Sequence, residues 1–155
     1  MKNILIVDDD QAVAEMLSEV VKAMGKHPIT AANGREGLEK FQEHSVDLVI
    51  TDLKMPEMDG NVLLKEIKRI DKDAVVIVLT GYPSVDTAVE TIKDGAYDYL
   101  NKPLKVAEIE VVIERALERK SLAKSLAFFK GANWALIISV PIWLILGIIL
   151  ASILR

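Results

Sequence analysis

The chain has 155 residues, of which 51% are hydrophobic, and this length excludes a large two-domain enzyme because it allows one domain of about 120 to 130 residues and a tail. It contains no cysteine, which excludes disulfides and thiolate metal sites. Residues 1–114 carry 13 Lys and Arg against 22 Asp and Glu. Because this acidic region would repel the phosphate backbone of a nucleic acid, we expect no direct binding to nucleic acid.

Five short apolar runs alternate along the chain with amphipathic stretches. The runs predict strands at residues 4–7, 28–32, 46–51, 74–80 and 97–100. Helical periodicity covers residues 11–24, 34–43, 61–70, 84–94 and the stretch from 105 onward. Strands that alternate with helices form right-handed βαβ crossovers, so the sequence predicts an α/β fold with a parallel sheet covered on both sides.

The last of these helices is long, because residues 106–129 contain neither Pro nor Gly. At 1.5 Å per residue it could extend ~36 Å. Two interpretations stay open at this point: a docked helix that overhangs the domain, and a short stalk that forms a homodimer. The apolar heptad does not hold for three repeats, which weakens the second interpretation.

Polar residues follow four of the strands at the point where each strand ends. They are Asp8, Asp9 and Asp10 after the first strand, Asp52 after the third, Thr80 at the end of the fourth and Lys102 after the fifth. Ligands bind at this edge of an open parallel sheet. We expect Asp10 to cap the following helix, which leaves three carboxylates that would repel each other unless a cation lies among them. Oxygen ligands of this kind favour a hard ion such as Mg²⁺.

A carboxylate beside a hard divalent ion is a potential nucleophile toward a phosphoryl group. Lys102 would offset the negative charge on that group, and Thr80 would supply a hydroxyl donor. Each residue also has a simpler interpretation: the acids as solvated surface groups, Lys102 as a surface lysine at a turn, and Thr80 as the last residue of a strand. Their occurrence together at the strand ends favours the chemical interpretation.

Four motifs, ILIVDDD, TDLKMPEMDG, VIVLTGY and GAYDYLNKP, resemble those of the response regulator receiver domain over residues 1 to about 120. The resemblance implies a doubly wound, flavodoxin-like sheet of five strands in the order 2-1-3-4-5. It also implies Mg²⁺-dependent transfer of a phosphoryl group to Asp52 from a histidine kinase or a phosphotransfer protein. By the same resemblance, the metal ligands would be Asp8, Asp9, Asp52 and the backbone carbonyl of Lys54.

The resemblance further implies a switch. Thr80 resembles the switch hydroxyl, Lys102 the phosphate-binding lysine, and Tyr99 the aromatic residue that turns inward when Thr80 is drawn to the phosphoryl group. We expect Tyr99 to share a strand face with Tyr97, two residues earlier.

The resemblance also assigns roles to two residues beside the pocket and to one surface. Lys54 and Tyr82 flank the pocket and would tune the lifetime of the phosphate. The surface for a downstream protein would be formed by the helix that begins at Ser84, the Tyr99 strand and the helix that begins at Lys105. The peptide between Lys102 and Pro103 is often cis in the family.

Residues 134–154 are 21 residues without a charge, and they account for the high mean hydropathy of +0.27. A helix of this length spans about 32 Å, against ~30 Å for the hydrocarbon core of a bilayer. Basic residues precede the segment, at Arg115, Arg119, Lys120, Lys124 and Lys130. By the positive-inside rule, we expect a single transmembrane helix with the N-terminus in the cytoplasm. A buried helix in a soluble oligomer is the alternative.

The sequence therefore predicts a receiver domain at 1–120, a basic helical linker at 121–133 and a transmembrane helix at 134–154. We expect a phosphorylatable receiver at the cytoplasmic face of the membrane that catalyses only its own phosphorylation and dephosphorylation. Three alternatives are a receiver-like adaptor that is not phosphorylated, a fragment of a larger membrane signalling protein, and an aspartate-nucleophile phosphatase. The phosphatase is disfavoured because such sites have an acid two residues after the nucleophile, where this chain has Lys54.

Overall fold

The computed structural model describes residues 1–122 of the chain, and Met1–Lys120 pack as one unit. The strands are β1 (Asn3–Val7), β2 (His27–Ala31), β3 (Leu48–Asp52), β4 (Val76–Thr80) and β5 (Asp98–Asn101). All neighbouring strands are parallel, in the order β2-β1-β3-β4-β5. The predicted sheet and its strand order are confirmed, and no strand end is displaced by more than two residues.

Helices follow the strands and end close to the predicted positions. They are α1 (Gln11–Ala23), α2 (Gly34–Glu43), α3 (Gly60–Ile70), α4 (Val85–Lys93) and α5, which is helical over residues 106–122. Each of the first four begins after a residue whose side chain accepts a backbone N–H of the first turn, at Asp10, Asn33, Asp59 and Ser84. These caps fix the start of each helix, and Asp10 acts as predicted.

The sheet has an apolar core on each of its faces. Along β1, Ile4 and Ile6 pack toward α1 and α5, whereas Leu5 and Val7 pack toward α2 and α3. This alternation is the period of two that a strand imposes on its side chains. Residues of β3 and β4 are buried throughout, so the central strands carry the continuous apolar runs expected of a sheet covered on both faces.

Tyr97 and Tyr99 lie on opposite faces of the sheet, so the expectation that they share a face is wrong. Tyr97 packs against the core under α1 and α5, where the Arg119 guanidinium lies 5.4 Å from the centre of its ring. Tyr99 packs against the other core. The reason is that β5 begins at Asp98, and Tyr97 lies in the bend after Gly95, so the alternation of the strand does not extend to it.

The predicted transmembrane helix at 134–154 and most of the linker at 121–133 lie outside the described residues. Within residues 1–122, we find no helix with the length and apolar character needed to cross a bilayer. The helix α5 is helical from residue 106 to residue 122, the last residue described, and the prediction of a longer helix over 106–129 extends beyond the described residues.

Candidate functional site

Two carboxylates and one lysine meet at the carboxyl ends of β1, β3 and β5. Asp8 follows β1, Asp52 ends β3, and these two strands are neighbours in the sheet. The Nζ atom of Lys102 lies 2.7 Å from Asp8 Oδ2 and 2.5 Å from Asp52 Oδ1. The side chains are 1% exposed for Asp8, 8% for Asp52 and 22% for Lys102. One ammonium group therefore joins two buried carboxylates.

The backbone around Lys102 directs its side chain to this edge. The Lys102 N–H donates to the carbonyl of Thr80 at 2.7 Å, which extends the pairing of β4 and β5 by one residue. The Lys102–Pro103 peptide is cis, as the resemblance implies. Leu104 packs against the core beneath, so the chain turns away directly after the lysine.

The loop between β3 and α3 holds Asp52 in place. The Lys54 N–H donates to Asp52 Oδ2 at 2.7 Å, so each oxygen of this carboxylate has a partner. The Gly60 N–H donates to the Leu53 carbonyl at 2.9 Å. A Cβ atom on Gly60 would overlap the backbone oxygen of Asp52, so only glycine allows the loop to return this closely.

The electrostatics of the cluster are dominated by burial. Burial raises the pKa of Asp8, and the hydrogen bonds that it accepts from Lys102 and from the Asp10 N–H do not offset this effect. Burial alone would lower the pKa of Lys102, but Asp52 and Asp8 together raise it. Both pKa values are raised for one reason, which is the difference in exposure. Desolvation of the charged form outweighs the attraction to Lys102 for the fully buried Asp8, whereas the attraction to the two carboxylates outweighs desolvation for the more exposed Lys102.

The predicted metal ligands are only partly gathered. Within the described residues 1–122, no three His, Cys, Asp or Glu side chains lie close enough together to hold a metal ion. Asp8 and Asp52 converge on Lys102, whereas Asp9 is exposed and is not grouped with them. Two converging carboxylates still fit Mg²⁺, since this ion usually binds through one or two carboxylates and keeps several waters.

The switch residues predicted by the resemblance lie beside the cluster on β4 and β5. Thr80 is buried, and its Oγ1 accepts a hydrogen bond from the Tyr82 N–H at 3.1 Å. The side chain of Tyr82 is exposed. The hydroxyl of Tyr99 is buried without a hydrogen-bond partner among residues 1–122. Thr80 is therefore bonded to the loop that leads into α4, and Tyr99 has an unsatisfied donor.

The surface predicted for a downstream protein carries exposed apolar side chains. On α4 and the loop before it they are Tyr82, Val85, Val89 and Ile92, and on α5 they include Val106 and Val111. Positions 85, 89 and 92 are spaced four and three residues apart, so they lie on one face of α4.

The strand order and the buried carboxylate–lysine cluster define a doubly wound α/β signalling domain of the receiver class. Residues 4–114 match the family model of the response regulator receiver domain, and the chain belongs to this family. Members of the family act in two-component systems, are phosphorylated on an aspartate and generally use Mg²⁺.

Curated relatives and solved structures agree with the family. The chain is 42% identical over 123 residues to the transcriptional regulatory protein ZraR of Klebsiella oxytoca and 40% identical over 126 residues to the regulatory protein AtoC of Escherichia coli K12. These matches cover 79% and 81% of this chain but only 28% and 27% of the relatives, so the chain spans about a quarter of their length.

Two receiver structures have the same fold. The receiver domain protein of Clostridium thermocellum has a TM-score of 0.75 and 37% identity, with 79% of this chain and 99% of that one covered. The beryllofluoride-activated dimer of the NtrC4 receiver domain has a TM-score of 0.74 and 41% identity, with 77% and 99% covered.

The amino ends of the same strands carry a second cluster of charges that sequence reasoning missed. Asp47 precedes β3 and contacts Lys2 and Asn3, at the start of β1. Lys2 and Asp47 are 45 positions apart, so no local sequence pattern indicates that they pair. Taken singly, each residue looks like an ordinary charged side chain at the surface.

Proposed function

We propose that this chain is a phosphoacceptor receiver in which Asp52 accepts a phosphoryl group from a histidine kinase or a phosphotransfer protein. The observation that carries the proposal is the contact of one lysine ammonium with two buried carboxylates at the carboxyl edge of the sheet. In the transfer, a carboxylate oxygen of Asp52 bonds to phosphorus while the bond from phosphorus to the donor histidine nitrogen breaks. The imidazole is the leaving group.

The side chains around Asp52 have separate tasks in this proposal. The Lys54 N–H orients the carboxylate by holding one of its oxygens. Lys102 moves from the carboxylate to the oxygens of the phosphoryl group and offsets their negative charge. Asp8, Asp9, Asp52 and the Lys54 carbonyl would hold Mg²⁺, which supplies further positive charge to those oxygens when bound.

The switch follows from the contacts of Thr80. Its hydroxyl leaves the Tyr82 N–H, donates to the new phosphoryl group and shifts the loop that leads into α4. Tyr99 then adjusts in the space beside Thr80, and the exposed face of α4, β5 and α5 changes its affinity for a downstream protein. Lys54 and Tyr82 flank the phosphoryl group and set how long it lasts. No substrate other than its own phosphate is turned over.

The assignment of Asp52 is tested by labelling the full chain with a small phosphodonor and Mg²⁺. We expect base-labile labelling of the wild type and its complete loss in Asp52→Asn. Asp71→Asn, at the end of α3, is the matched control and keeps the label. Labelling that persists in Asp52→Asn contradicts the proposal, and so does steady turnover of phosphomonoesters, which would indicate a phosphatase.

We further propose that residues 134–154 anchor the receiver to the cytoplasmic face of the membrane through the basic linker 121–133. The 21 uncharged residues and the preceding basic residues support this proposal. Tethering raises the effective concentration of the receiver near a membrane-bound partner.

The anchor is tested by carbonate extraction of membranes from cells that express the full chain. We expect the wild type to stay in the membrane fraction and the double variant Ile145→Arg with Leu146→Arg to leave it, because charges at mid-bilayer are costly. Ile145→Val with Leu146→Val is the control. Extraction of the wild type would contradict the anchor and leave the assignment of Asp52 untouched.

A further inference from the structure

The helix α4 is held to the domain by unusually few buried contacts. Of its residues, all of which are described, Thr91 alone is buried, and it is polar. The hydroxyl of Thr91 donates to Asn61 Oδ1 at 3.1 Å, which joins α4 to the first turn of α3. By contrast, α3 buries Leu63, Leu64 and Ile67. The helix α4 therefore buries no apolar side chain, and its one buried residue is held by a partly buried hydrogen bond.

Further contacts between α3 and the region of α4 lie on the same face of α3. Lys65 pairs with Asp94, the C-cap of α4, at 3.1 Å, and both side chains are partly exposed. The alkyl chain of Lys68 lies against Gly95. Positions 61, 65 and 68 are spaced four and three residues apart, so they form one polar stripe along α3. Asn61 is the residue of this stripe that hydrogen-bonds to the buried residue of α4.

Asn61 also lies next to the part of the chain that holds Asp52. Gly60, the residue before it, is packed against the backbone oxygen of Asp52 and bonds to the Leu53 carbonyl. The backbone of Asp52 and Leu53 is therefore in direct contact with the first turn of α3. From there, the next contact toward the exposed apolar face of α4 is the hydrogen bond to Thr91.

We infer that the Asn61–Thr91 hydrogen bond couples the phosphoacceptor loop to α4 and restrains α4 in the arrangement in which Thr80 accepts from the Tyr82 N–H. The inference rests on the proposed function. A phosphoryl group on Asp52 accepts from the Thr80 O–H, draws the Thr80 oxygen away from the Tyr82 N–H and shifts the start of α4, and the hydrogen bond at Thr91 opposes this shift. By linkage, loss of the hydrogen bond makes the shifted arrangement easier to reach and tightens the binding of a phosphoryl mimic at Asp52.

The test compares Thr91→Val, which keeps the shape and removes the hydroxyl, with Thr91→Ser, which keeps the hydroxyl. The full chain in detergent is titrated with beryllofluoride and Mg²⁺, and hydrogen exchange of the α4 amides is measured in parallel. For Thr91→Val we expect binding tighter by roughly two- to tenfold and exchange in α4 faster by roughly the same factor, the range expected for one neutral hydrogen bond. Thr91→Ser should stay close to the wild type in both.

Two further variants make the result specific. Asn61→Ala removes the acceptor of the same hydrogen bond and should reproduce the effects of Thr91→Val. The inference can therefore still be tested if one of the two variants does not fold. Asp94→Asn removes the exposed ion pair between the same two segments and should leave the binding of beryllofluoride unchanged. Unchanged or weaker binding in Thr91→Val, together with faster exchange in α4, overturns the inference and leaves the hydrogen bond a purely structural role. A wild-type chain that does not bind beryllofluoride overturns the proposed function itself.

Discussion

The strands β1 and β3 have a lysine–carboxylate cluster at each end, and the two clusters are built in opposite ways. At the amino ends, the Asp47 carboxylate accepts from the Asn3 N–H at 3.0 Å and from Lys2 Nζ at 3.1 Å. At the carboxyl ends, Asp8 and Asp52 share the single ammonium of Lys102. The amino-end cluster therefore has one carboxylate with two donors, whereas the carboxyl-end cluster has two carboxylates that share one cation.

The directions of the pKa shifts express this difference. Burial by itself would raise the pKa of Asp47, but the Asn3 N–H and the Lys2 ammonium together lower it. Burial raises the pKa of Asp8 in spite of Lys102. The ionised form of Asp47 is thus favoured, and the ionised form of Asp8 is penalised. At neutral pH the ionised Asp47 therefore stabilises the fold, whereas the ionised Asp8 costs stability that Lys102 returns only in part.

The largest effect is expected from Lys102→Met. This change leaves two buried carboxylates facing each other without a cation, and we expect the free energy of unfolding at pH 7 to fall by about 3 kcal/mol. The loss should shrink as the pH is lowered, because the raised pKa of Asp8 lets it become neutral early. Denaturant unfolding at several pH values measures both. Lys105→Met, an exposed lysine nearby, is the control, and an equal loss in the two variants would contradict the comparison.

A smaller effect is expected from Asp47→Ala at the other end of the strands. The Asn3 N–H and Lys2 lose their acceptor, and we expect a loss of about 1–2 kcal/mol in the free energy of unfolding. Asp73→Ala, an exposed acid, should change stability by less than about 0.5 kcal/mol. If both variants unfold at the same denaturant concentration, the amino-end cluster does not stabilise the fold.

The sequence predicted the carboxyl-end cluster and missed the amino-end cluster for a physical reason. Asp8, Asp52 and Lys102 each follow an apolar run, and the topology of a parallel sheet brings such positions to one edge. The sequence predicts a strand at 46–51 that includes Asp47 and leaves Lys2 before the first strand, so neither residue stands at the end of an apolar run. The face of Tyr97 was predicted wrongly because strand alternation was extended into a bend. The bond from Thr91 to Asn61 joins two polar side chains 30 positions apart, and only packing reveals it.

A modest gain in stability is expected from Asp8→Asn. The pKa of Asp8 is 3.8 in the unfolded chain and is raised in the folded chain. Asp8 therefore contributes stability below pH 3.8, and this contribution is lost as the pH rises through the pKa of the folded chain. At pH 7 the ionised group is a net cost, so a neutral amide of the same shape should stabilise the fold by about 0.5–1 kcal/mol. Asp9→Asn, exposed one residue later, should leave stability unchanged. A destabilised Asp8→Asn would show that Lys102 outweighs burial.

The smallest effect is expected from Lys2→Met, the counterpart of Lys102→Met. Lys2 is 41% exposed, so water screens its charge, and its loss should lower the free energy of unfolding by less than about 0.5 kcal/mol at pH 7. The lowered pKa of Asp47 means that its contribution is present above 3.8 and is lost as the pH falls through the folded value. Without Lys2 that folded value rises, so acid unfolding should begin at a higher pH. A loss as large as that of Lys102→Met would mean that both ends depend equally on their lysine, and the contrast between one acid with two donors and two acids with one cation would not hold.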